Sequence, residues 1–174
     1  MDLDLIKKLR EMSGAPVMGC RKALIQTNGD IEEAMEILMQ EGLSTAAKKV
    51  GRETTEGLIY AYIHFGGKIG VLLELNCETD FVARTDGFKE LAKDISMHIA
   101  WSNPRFISPG EMPEEERKGK DKEKHLSSCC LLEQPFIKDN EVKIKDYLSG
   151  AVARFGENIR IKRFVRYQLG NEAE

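Results

Sequence analysis

Apolar residues recur at helical spacing in three short runs at the start of the chain. The runs are Leu5, Ile6, Leu9 and Met12; Cys20, Ala23 and Leu24; and Ile31, Ala34, Met35 and Leu38. Such periodicity predicts three amphipathic helices. Glycine and proline follow the first run, and Asn28 with Gly29 follows the second, as is typical of turns. Because each helix is too short to be stable alone, we expect residues 1–42 to form a three-helix bundle.

The third predicted helix carries signals at both ends. Asp30 is a typical N-cap with Glu33 three residues further on, and Gly42 stands where a helix C-terminal glycine is common. From residue 43 to residue 55 the composition shifts to alanine, lysine and arginine, which indicates a basic linker or a short exposed helix. We therefore predict a domain boundary there and a core domain over residues 56–174.

The core domain begins with the two-residue periodicity of side chains that is typical of β-strands. Branched and aromatic residues fill positions 57–65 and 68–76 on either side of Gly66 and Gly67, which predicts a β-hairpin. Its inward face is expected to carry Ile69, Val71, Leu73 and Leu75. Two amphipathic helices follow, the first with Phe88, Leu91, Ala92, Ile95 and Ile99, and the second with Ile144, Tyr147, Leu148, Ala151 and Phe155. The predicted fold class is α+β, with a small antiparallel sheet and packed helices.

A last strand is predicted over residues 159–169. Its odd positions form the expected buried face, which consists of Ile159, Ile161, Val165, Tyr167 and Leu169. The basic side chains of Arg160, Lys162 and Arg166 are expected to point the other way. A basic strand with aromatic residues resembles some single-strand RNA binders, so an RNA-associated role is one alternative. Charges that keep an outer strand soluble are the stronger interpretation, since the chain as a whole is acidic.

Composition narrows the class of protein. The chain has 174 residues, of which 41% are hydrophobic and 32% charged, with a formal net charge of -3. This balance argues against wholesale disorder and against a purely electrostatic nucleic-acid binder. An exception is the stretch near 111–128, which is dense in charges of both signs and is expected to be mobile. No apolar run is long enough to span a membrane, and the first residues lack the apolar core of a secretory signal peptide. We therefore expect a cytoplasmic protein.

The sequence gives little support for an enzyme active site or a metal site. Motifs of the types G-x-x-x-x-G-K, G-x-S-x-G and His-Glu-x-x-His do not occur, and the histidines lie far apart at His64, His98 and His125. The cysteines, Cys20, Cys77, Cys129 and Cys130, suit neither a disulfide framework nor a Cys-x-x-Cys site, so we expect reduced thiols that mostly pack. A nucleophile formed by Cys77 with His98 would need hydrogen-bond contact between them. We predict no catalytic residue, no metal and no cofactor.

One connection stands out, the segment NCETDFVAR between the second hairpin strand and the following helix. In one interpretation Thr79 or Asp80 caps a helical turn and Phe81 folds back onto the core, which spacing alone favours. In the other, Phe81 is presented outward as a wedge for a partner protein. Loops held on a rigid scaffold are common places for such contacts.

Several separated stretches resemble the bacterial elongation factor Ts family. They are LREMSGAPVMGCRKALIQTNGDIEEAMEILMQEG, AAKK with RETTEGLIYAYIH, VLLELNCETDFVARTDGF, MHIA with NPR, LLEQPF with KD, and GENIRIKRFVRYQLG, and together they span nearly the whole chain. The NCETDFVAR stretch is the most specific of them. The resemblance implies a ubiquitin-associated-like N-terminal domain, a linker and an α+β core.

The resemblance also implies a function. It points to a guanine-nucleotide exchange factor that binds EF-Tu in its GDP-bound and nucleotide-free forms, perturbs the Mg²⁺ site and promotes GDP release without covalent chemistry. Residues carried over to that role are Thr79, Asp80, Phe81 and Val82, with a second contact at Ala15, Pro16, Val17 and Met18. Short members tend to pair, so a homodimer is expected, and neither nucleic acid nor a membrane is required.

The sequence departs from the family pattern in two places. Gly19 stands where the family usually has an acidic residue before the cysteine. Between Pro113 and Leu131 a shorter, mixed-charge segment ending in HLSSCC replaces a longer helical stretch. We therefore expect a change in that part of the core, while the hairpin, the Thr-Asp-Phe-Val motif and the last strand are retained.

Overall fold

A computed structural model describes residues 2–117 and 122–170 of the chain. The helices are α1 (Leu3–Ser13), α2 (Val17–Gln26), α3 (Ile31–Lys49), α4 (Asp80–Ala83), α5 (Asp86–Ser102), α6 (Glu114–Arg117), α7 (Lys122–Cys129) and α8 (Ile144–Phe155). The strands are β1 (Glu56–Ile63), β2 (Ile69–Cys77), β3 (Pro135–Phe136), β4 (Asp139–Lys143) and β5 (Arg160–Gln168), and 3₁₀ turns span Pro109–Glu111 and Leu131–Glu133. The α+β fold class predicted from the sequence is confirmed. No helix of the described ranges is long and apolar enough to cross a membrane.

The described residues fall into two compact units. The first contains the chain up to Arg52 together with Ser149–Asn158, and the second contains Glu53–Leu148 and the chain from Ile159 onward. The division therefore passes through α8. The predicted domain limits, 1–42, 43–55 and 56–174, stay a prediction.

The first unit is built on α1, α2 and α3. Its core consists of buried small and branched side chains, namely Ile6, Leu9, Cys20, Ala23, Leu24 and Ala34. The Asp2 carboxylate accepts a hydrogen bond from the Asp4 amide, and the Asp30 carboxylate accepts one from the Glu33 amide, both across 3.0 Å. Asn28 and Gly29 both have positive φ, as their turn required. Caps and turns thus form where the sequence predicted them.

The prediction that α3 ends at Gly42 is wrong, because the helix continues to Lys49. The residues after Gly42 are mostly good helix formers, so nothing in them stops the helix. Gly42 is buried, and a Cβ placed on it would lie 3.4 Å from the Cβ of Ala153, so its small size permits close packing within the first unit. Gly51, with φ of 98°, follows the true end of the helix.

The second unit contains a three-stranded antiparallel sheet in the order β1-β2-β5. Gly66 and Gly67 adopt positive φ in the connection between β1 and β2, as predicted. Val71, Leu73 and Leu75 of β2 are buried on one face of the sheet, and α5 packs against β1 and β2. The buried face of α5 includes the predicted residues, Phe88, Leu91, Ala92, Ile95 and Ile99.

The predicted buried face of β5 is wrong over its second half. Leu75 pairs with Ile161 whereas Glu74 pairs with Arg163, so Lys162 is an extra residue in the strand. A bulge of this kind reverses the alternation of side chains after it. Ile161 is buried as expected, but Val165, Tyr167 and Leu169 are exposed.

Arg166 consequently points opposite to its predicted direction. Its Nε and Nη2 atoms each donate a hydrogen bond to the Ala100 carbonyl oxygen across 3.1 Å, near the C-terminal end of α5. A cation is favourable there because the last carbonyls of a helix lack partners within it.

A hairpin of β3 and β4 was not predicted. Phe136 of β3 stacks on Tyr147 of α8 with ring centroids 4.4 Å apart. The buried carboxylate of Asp94 on α5 accepts hydrogen bonds from Lys138 across 2.7 Å and from Tyr147 across 2.9 Å. These polar contacts fix the hairpin to α5, since a buried charge needs such partners.

The charged segment near 111–128 is only partly described, because residues 118–121 lie outside the described ranges. On either side of them the chain forms α6 and α7. Arg105 pairs with Glu116 of α6 across 3.2 Å, and Arg117 donates hydrogen bonds to the carbonyl oxygens of Met112 and Gly110. The mobility of the whole segment stays a prediction.

Candidate partner-binding site

The segment NCETDFVAR connects the central strand β2 to α5 through the single-turn helix α4. Thr79 is in extended conformation, and its side chain accepts a hydrogen bond from the Val82 amide across 3.5 Å. Thr85 then caps α5, because its Oγ1 accepts from the Phe88 amide across 3.2 Å. Two successive threonine caps therefore fix the course of the chain between the strand and the long helix.

Phe81 projects from α4 into solvent, with 82% of its side-chain and backbone surface exposed. The interpretation in which Phe81 folds back onto the core is therefore wrong, although its Thr79 cap does form. Ala83, two positions later, faces the core instead and is buried. Presenting a large apolar ring to water is unfavourable, and an outward aromatic side chain on a fixed turn is typical of a binding anchor.

Asp80 and Arg84 flank the aromatic ring and pair with each other. Arg84 Nη2 lies 2.8 Å from Asp80 Oδ2 one helical turn away, with the Arg84 side chain largely exposed and the Asp80 side chain 41% exposed. An exposed pair contributes little to stability, because water screens it. Its effect is to orient the carboxylate of Asp80 beside Phe81.

The base of this site is held by contacts that the sequence did not reveal. The thiol of Cys77 donates a hydrogen bond to the Thr79 carbonyl oxygen across 3.1 Å. Opposite the end of β2, Gly57 has φ of 148°, and a Cβ there would stand 2.2 Å from the Leu75 carbonyl oxygen. Only glycine permits this approach of β1 to β2. Glycine at the start of a strand was the one available signal.

The second predicted contact, Ala15 to Met18, spans the end of the turn after α1 and the first two residues of α2 in the first unit. Ser13 Oγ accepts a hydrogen bond from the Ala15 amide across 3.1 Å, and Ala15 is partly buried. Pro16, Val17 and Met18 are exposed. The turn is thus fixed at Ala15 and offers an apolar surface at Val17 and Met18.

The outer face of the sheet is a third exposed surface, which we call the outer sheet face. It lies opposite α5, and register places in it Ile59, Ala61, Ile63, Leu72, Glu74, Arg163, Val165 and Tyr167. Six of these eight residues are apolar or aromatic, and Ile63 and Tyr167 are about two-thirds exposed, at 68% and 65%. Arg163 Nε lies 2.6 Å from Glu74 Oε2, so these two charges neutralise each other, while Arg160, opposite Asn76, adds a positive charge at the end of the face. Such a continuous apolar face is typical of an interaction surface.

The alternatives considered from the sequence find no matching geometry. His98 bonds Gln134 through Nε2 at 3.0 Å and accepts from the Ile137 amide through Nδ1 at 3.3 Å, while the Cys77 thiol points to Thr79. The structure therefore does not bring Cys77 and His98 together as a nucleophile and base. Burial raises the pKa of Cys130 to about 12, with the neighbouring Cys129 adding to the effect, so Cys130 is not a ready nucleophile.

The four basic residues of β5 do not all share one face. Arg163 lies on the outer sheet face in its pair with Glu74, whereas Arg166 turns toward α5. Register places Arg160 on the same face as Arg163, and Lys162 occupies the bulge between these two. An RNA-binding stripe needs several adjacent free cations and stacking platforms on one surface, and this strand places only Arg160 and Arg163 together, the latter in its ion pair with Glu74.

Comparison with known proteins gives consistent results. The family model described as Elongation factor TS matches residues 21–122 and 118–171. Elongation factor Ts from Thermotoga neapolitana is 48% identical over 194 residues, covering 99% of this chain and 98% of that protein. The proteins of the same name from Carboxydothermus hydrogenoformans and Methylacidiphilum infernorum are 49% and 48% identical, covering 95% and 100% of this chain and 88% and 98% of their own lengths.

These alignments also bear on the charged segment. They extend over 190 to 196 residues, more than the 174 of this chain, so this chain lacks residues that its relatives have. The two stretches matched by the family model meet at residues 118–122. The discontinuity in the family pattern therefore lies between α6 and α7.

Proposed function

The chain belongs to the elongation factor Ts family, and from that membership we propose that it binds EF-Tu carrying GDP and accelerates release of the nucleotide. The observation that carries this proposal is the exposed Phe81 on the capped turn α4. The chain would act in the cytoplasm as a translation factor, with EF-Tu as its partner and no requirement for nucleic acid.

Exchange of this kind needs no covalent step. A factor that binds nucleotide-free EF-Tu more tightly than EF-Tu with GDP must, by linkage, weaken GDP binding by the same factor. The proposed role of this chain is therefore to favour the nucleotide-free state of its partner. A cysteine or histidine nucleophile is not part of the mechanism.

Phe81 is the proposed wedge. Burying a phenylalanine side chain contributes roughly 1.5 to 3 kcal/mol, and each 1.4 kcal/mol changes an equilibrium constant about tenfold. Phe81 alone would therefore shift affinity by about ten- to a hundredfold. Thr79 fixes the turn, Val82 extends the apolar contact, and the Asp80 carboxylate would perturb the surroundings of Mg²⁺ in EF-Tu without binding the ion itself.

Stronger coupling requires further contacts. We place the second one at the turn from Ala15 to Met18, where Val17 and Met18 are exposed on a fixed backbone. Interfaces of this kind concentrate their energy in a few apolar anchors surrounded by weaker contacts. Removing this turn's side chains should reduce affinity for EF-Tu and leave the wedge itself intact.

The chain is also proposed to form a homodimer through the outer sheet face. A second copy is the occupant that suits it, because the face is mainly apolar and the two charges among its apolar residues neutralise each other in the Glu74–Arg163 pair. Two antiparallel sheets whose opposite faces are covered by helices can pack face to face as a sandwich. A two-fold axis would place the same patch on both sides.

The experiment that tests the exchange function is release of fluorescent GDP from purified EF-Tu at fixed Mg²⁺. A substoichiometric amount of this protein should speed release of the whole GDP pool, since an exchange factor turns over. Equilibrium binding should in addition be tighter to nucleotide-free EF-Tu than to EF-Tu with GDP. Equal affinity for both forms, or release at the spontaneous rate, would contradict the proposal.

A further inference from the structure

Three sulfur atoms meet in the core of the second unit, away from the proposed EF-Tu contact. Cys129 and Cys130 at the end of α7 have their Sγ atoms 3.9 Å apart, and Cys130 Sγ lies 3.2 Å from the Sδ of Met112. All three residues are buried, and Phe106 and Leu126 pack around them. Packing alone does not require adjacent thiols beside a thioether, so the cluster has chemistry to explain.

The backbone that carries the cysteines is fixed on two sides. The Cys129 carbonyl oxygen accepts hydrogen bonds from the amides of Arg105 and Phe106 across 2.9 and 3.0 Å. Cys130 forms a parallel bridge with Phe106, and its amide donates to the Leu126 carbonyl oxygen across 2.9 Å. These main-chain bonds fix the backbone of both cysteines, while the Cys129 thiol donates its own hydrogen bond to the His125 carbonyl oxygen across 3.0 Å, which metal binding would replace.

The backbone that carries Met112 is fixed as well. Arg117 Nε donates a hydrogen bond to the Met112 carbonyl oxygen across 2.7 Å. Glu111, its neighbour, accepts from the Ile107 amide across 3.0 Å through its side chain. Supporting contacts of this type orient ligands in metal sites and preserve their geometry.

The donor set decides which ion would suit this cluster of sulfur atoms. Thiolate and thioether sulfurs are soft ligands, and the combination of cysteine with methionine favours copper(I). Within residues 2–117 and 122–170, no group of three or more His, Cys, Asp or Glu side chains could hold a metal ion, which argues against a zinc site. We propose that Met112, Cys129 and Cys130 form a binding site for a soft monovalent cation, copper(I), coordinated by two thiolates and one thioether.

The Cys129–Cys130 and Cys130–Met112 distances are compatible with that coordination. A metal–sulfur bond of about 2.3 Å places two ligands of a trigonal centre roughly 4 Å apart. The Cys129 and Cys130 sulfurs are already 3.9 Å apart. The thioether must move outward from Cys130 by less than about 1 Å, which the three rotatable bonds of methionine permit.

Copper(I) binding releases two protons from the cysteine thiols. Copper(I) replaces the thiol hydrogens of Cys129 and Cys130. Two S–H bonds break, three metal–sulfur bonds form, one of them to the Met112 thioether, and both protons pass to buffer. The metal keeps its oxidation state, so no oxidant or reductant takes part. The site departs from the expectation that these thiols only pack, and it is independent of exchange on EF-Tu.

The test is titration of the full chain with copper(I) under anaerobic conditions, in competition with a coloured copper(I) chelator. We expect one copper per chain, and X-ray absorption of the wild-type complex should show sulfur neighbours only. Cys129→Ser and Cys130→Ser should each weaken binding by at least about 100-fold, since even outer-shell changes cost 10- to 100-fold. Met112→Leu should lower the sulfur count and weaken binding less.

The control is the double variant Cys20→Ser with Cys77→Ser, which removes the same number of buried thiols at other places. It should retain full copper affinity. Nitrogen or oxygen neighbours in the wild-type spectrum, affinity below that of the chelator, or equal loss in the control variant would overturn the proposal. The wild-type spectrum decides the matter even where a serine variant fails to fold by circular dichroism.

Discussion

The Cys77 thiol donates a hydrogen bond to the Thr79 carbonyl oxygen across 3.1 Å. The same carbonyl accepts the Ala83 amide across 3.3 Å, so one oxygen links the end of β2 to the end of α4. Cys77 is buried and cannot contact a partner directly. Its role is to position the turn that presents Phe81.

Substitutions of Cys77 should distinguish its role in positioning the Phe81 turn from its role in core packing. Cys77→Ala removes the donor and leaves a small cavity, and we expect a loss of about 1 to 2 kcal/mol in the free energy of unfolding. GDP release from EF-Tu should also slow, because Phe81 is held less firmly. Cys77→Ser keeps a donor of similar size and should retain most of the exchange rate. Urea unfolding and stopped-flow GDP release measure the two effects, and an unchanged exchange rate in both variants would exclude a positioning role.

Gly57 is expected to be intolerant of any side chain. The substitution Gly57→Ala would place a Cβ 2.2 Å from the Leu75 carbonyl oxygen in a backbone conformation with φ of 148°. We expect it to lower the free energy of unfolding by more than about 2 kcal/mol, the combined effect of clash and strain. Gly66→Ala is the matched control, since Gly66 also has positive φ but has open space around it. Its cost should stay near 1 kcal/mol, and equal costs for both would show that strain alone matters.

His98 should make stability depend on pH. Burial lowers the pKa of His98, and the hydrogen bond with Gln134 offsets this only in part. In the unfolded chain the pKa is about 6.5, so below that value the unfolded state binds more protons than the folded state. The contribution of neutral His98 is complete above pH 6.5 and is lost as pH falls toward the lowered folded pKa. The slope is at most about 1.4 kcal/mol per pH unit.

The check is the free energy of unfolding in urea between pH 7.5 and pH 5. His98→Gln should flatten the slope that wild type shows below pH 6.5, at some cost in stability at neutral pH. His125→Gln changes a histidine outside the core and should leave the slope in place. If wild type and His98→Gln lost stability in parallel, His98 would not be the group responsible.

If two copies pair through the outer sheet face, substitutions on that face should separate the dimer into monomers. Ile63→Lys combined with Tyr167→Glu places opposite charges on one row of that face and keeps the net charge unchanged. We expect this double variant to sediment as a monomer where wild type sediments as a dimer. The same changes at exposed apolar positions of the first unit, Met39→Lys with Val50→Glu, serve as the control and should leave the dimer intact. A wild-type monomer at high concentration would refute the pairing.

Much of the fold followed from local patterns. The helices α1, α2, α5 and α8 and the β1–β2 hairpin form where the 3.6-residue and two-residue periods placed them, because each buries one continuous face. Gly42 misled the prediction, since glycine suits both a helix end and a close contact inside a helix. The β3–β4 hairpin could not be seen, because its strands are short and fixed through contacts such as Asp94 with Lys138, which are distant in sequence.

The bulge at Lys162 shows a second reason why the sequence alone could not predict the whole fold. A period-two pattern assigns faces correctly only while the register is unbroken, and nothing in the sequence of β5 signals the extra residue. As for the site, spacing favoured an inward Phe81, and the resemblance to a known family suggested an outward one. The structure shows an outward ring, whereas the contacts of Cys77 and Gly57 beneath it depend on tertiary geometry.

The central claim is that Phe81 acts as the wedge on EF-Tu, and the matched pair Phe81→Ala and Phe65→Ala tests it most directly. Phe65 lies at the β1–β2 connection and is 98% exposed, so both changes remove an exposed phenylalanine ring from the same unit. Release of fluorescent GDP from EF-Tu at fixed Mg²⁺ should slow by about ten- to a hundredfold in efficiency with Phe81→Ala and remain at the wild-type rate with Phe65→Ala. Equal acceleration by wild type and Phe81→Ala would contradict the account.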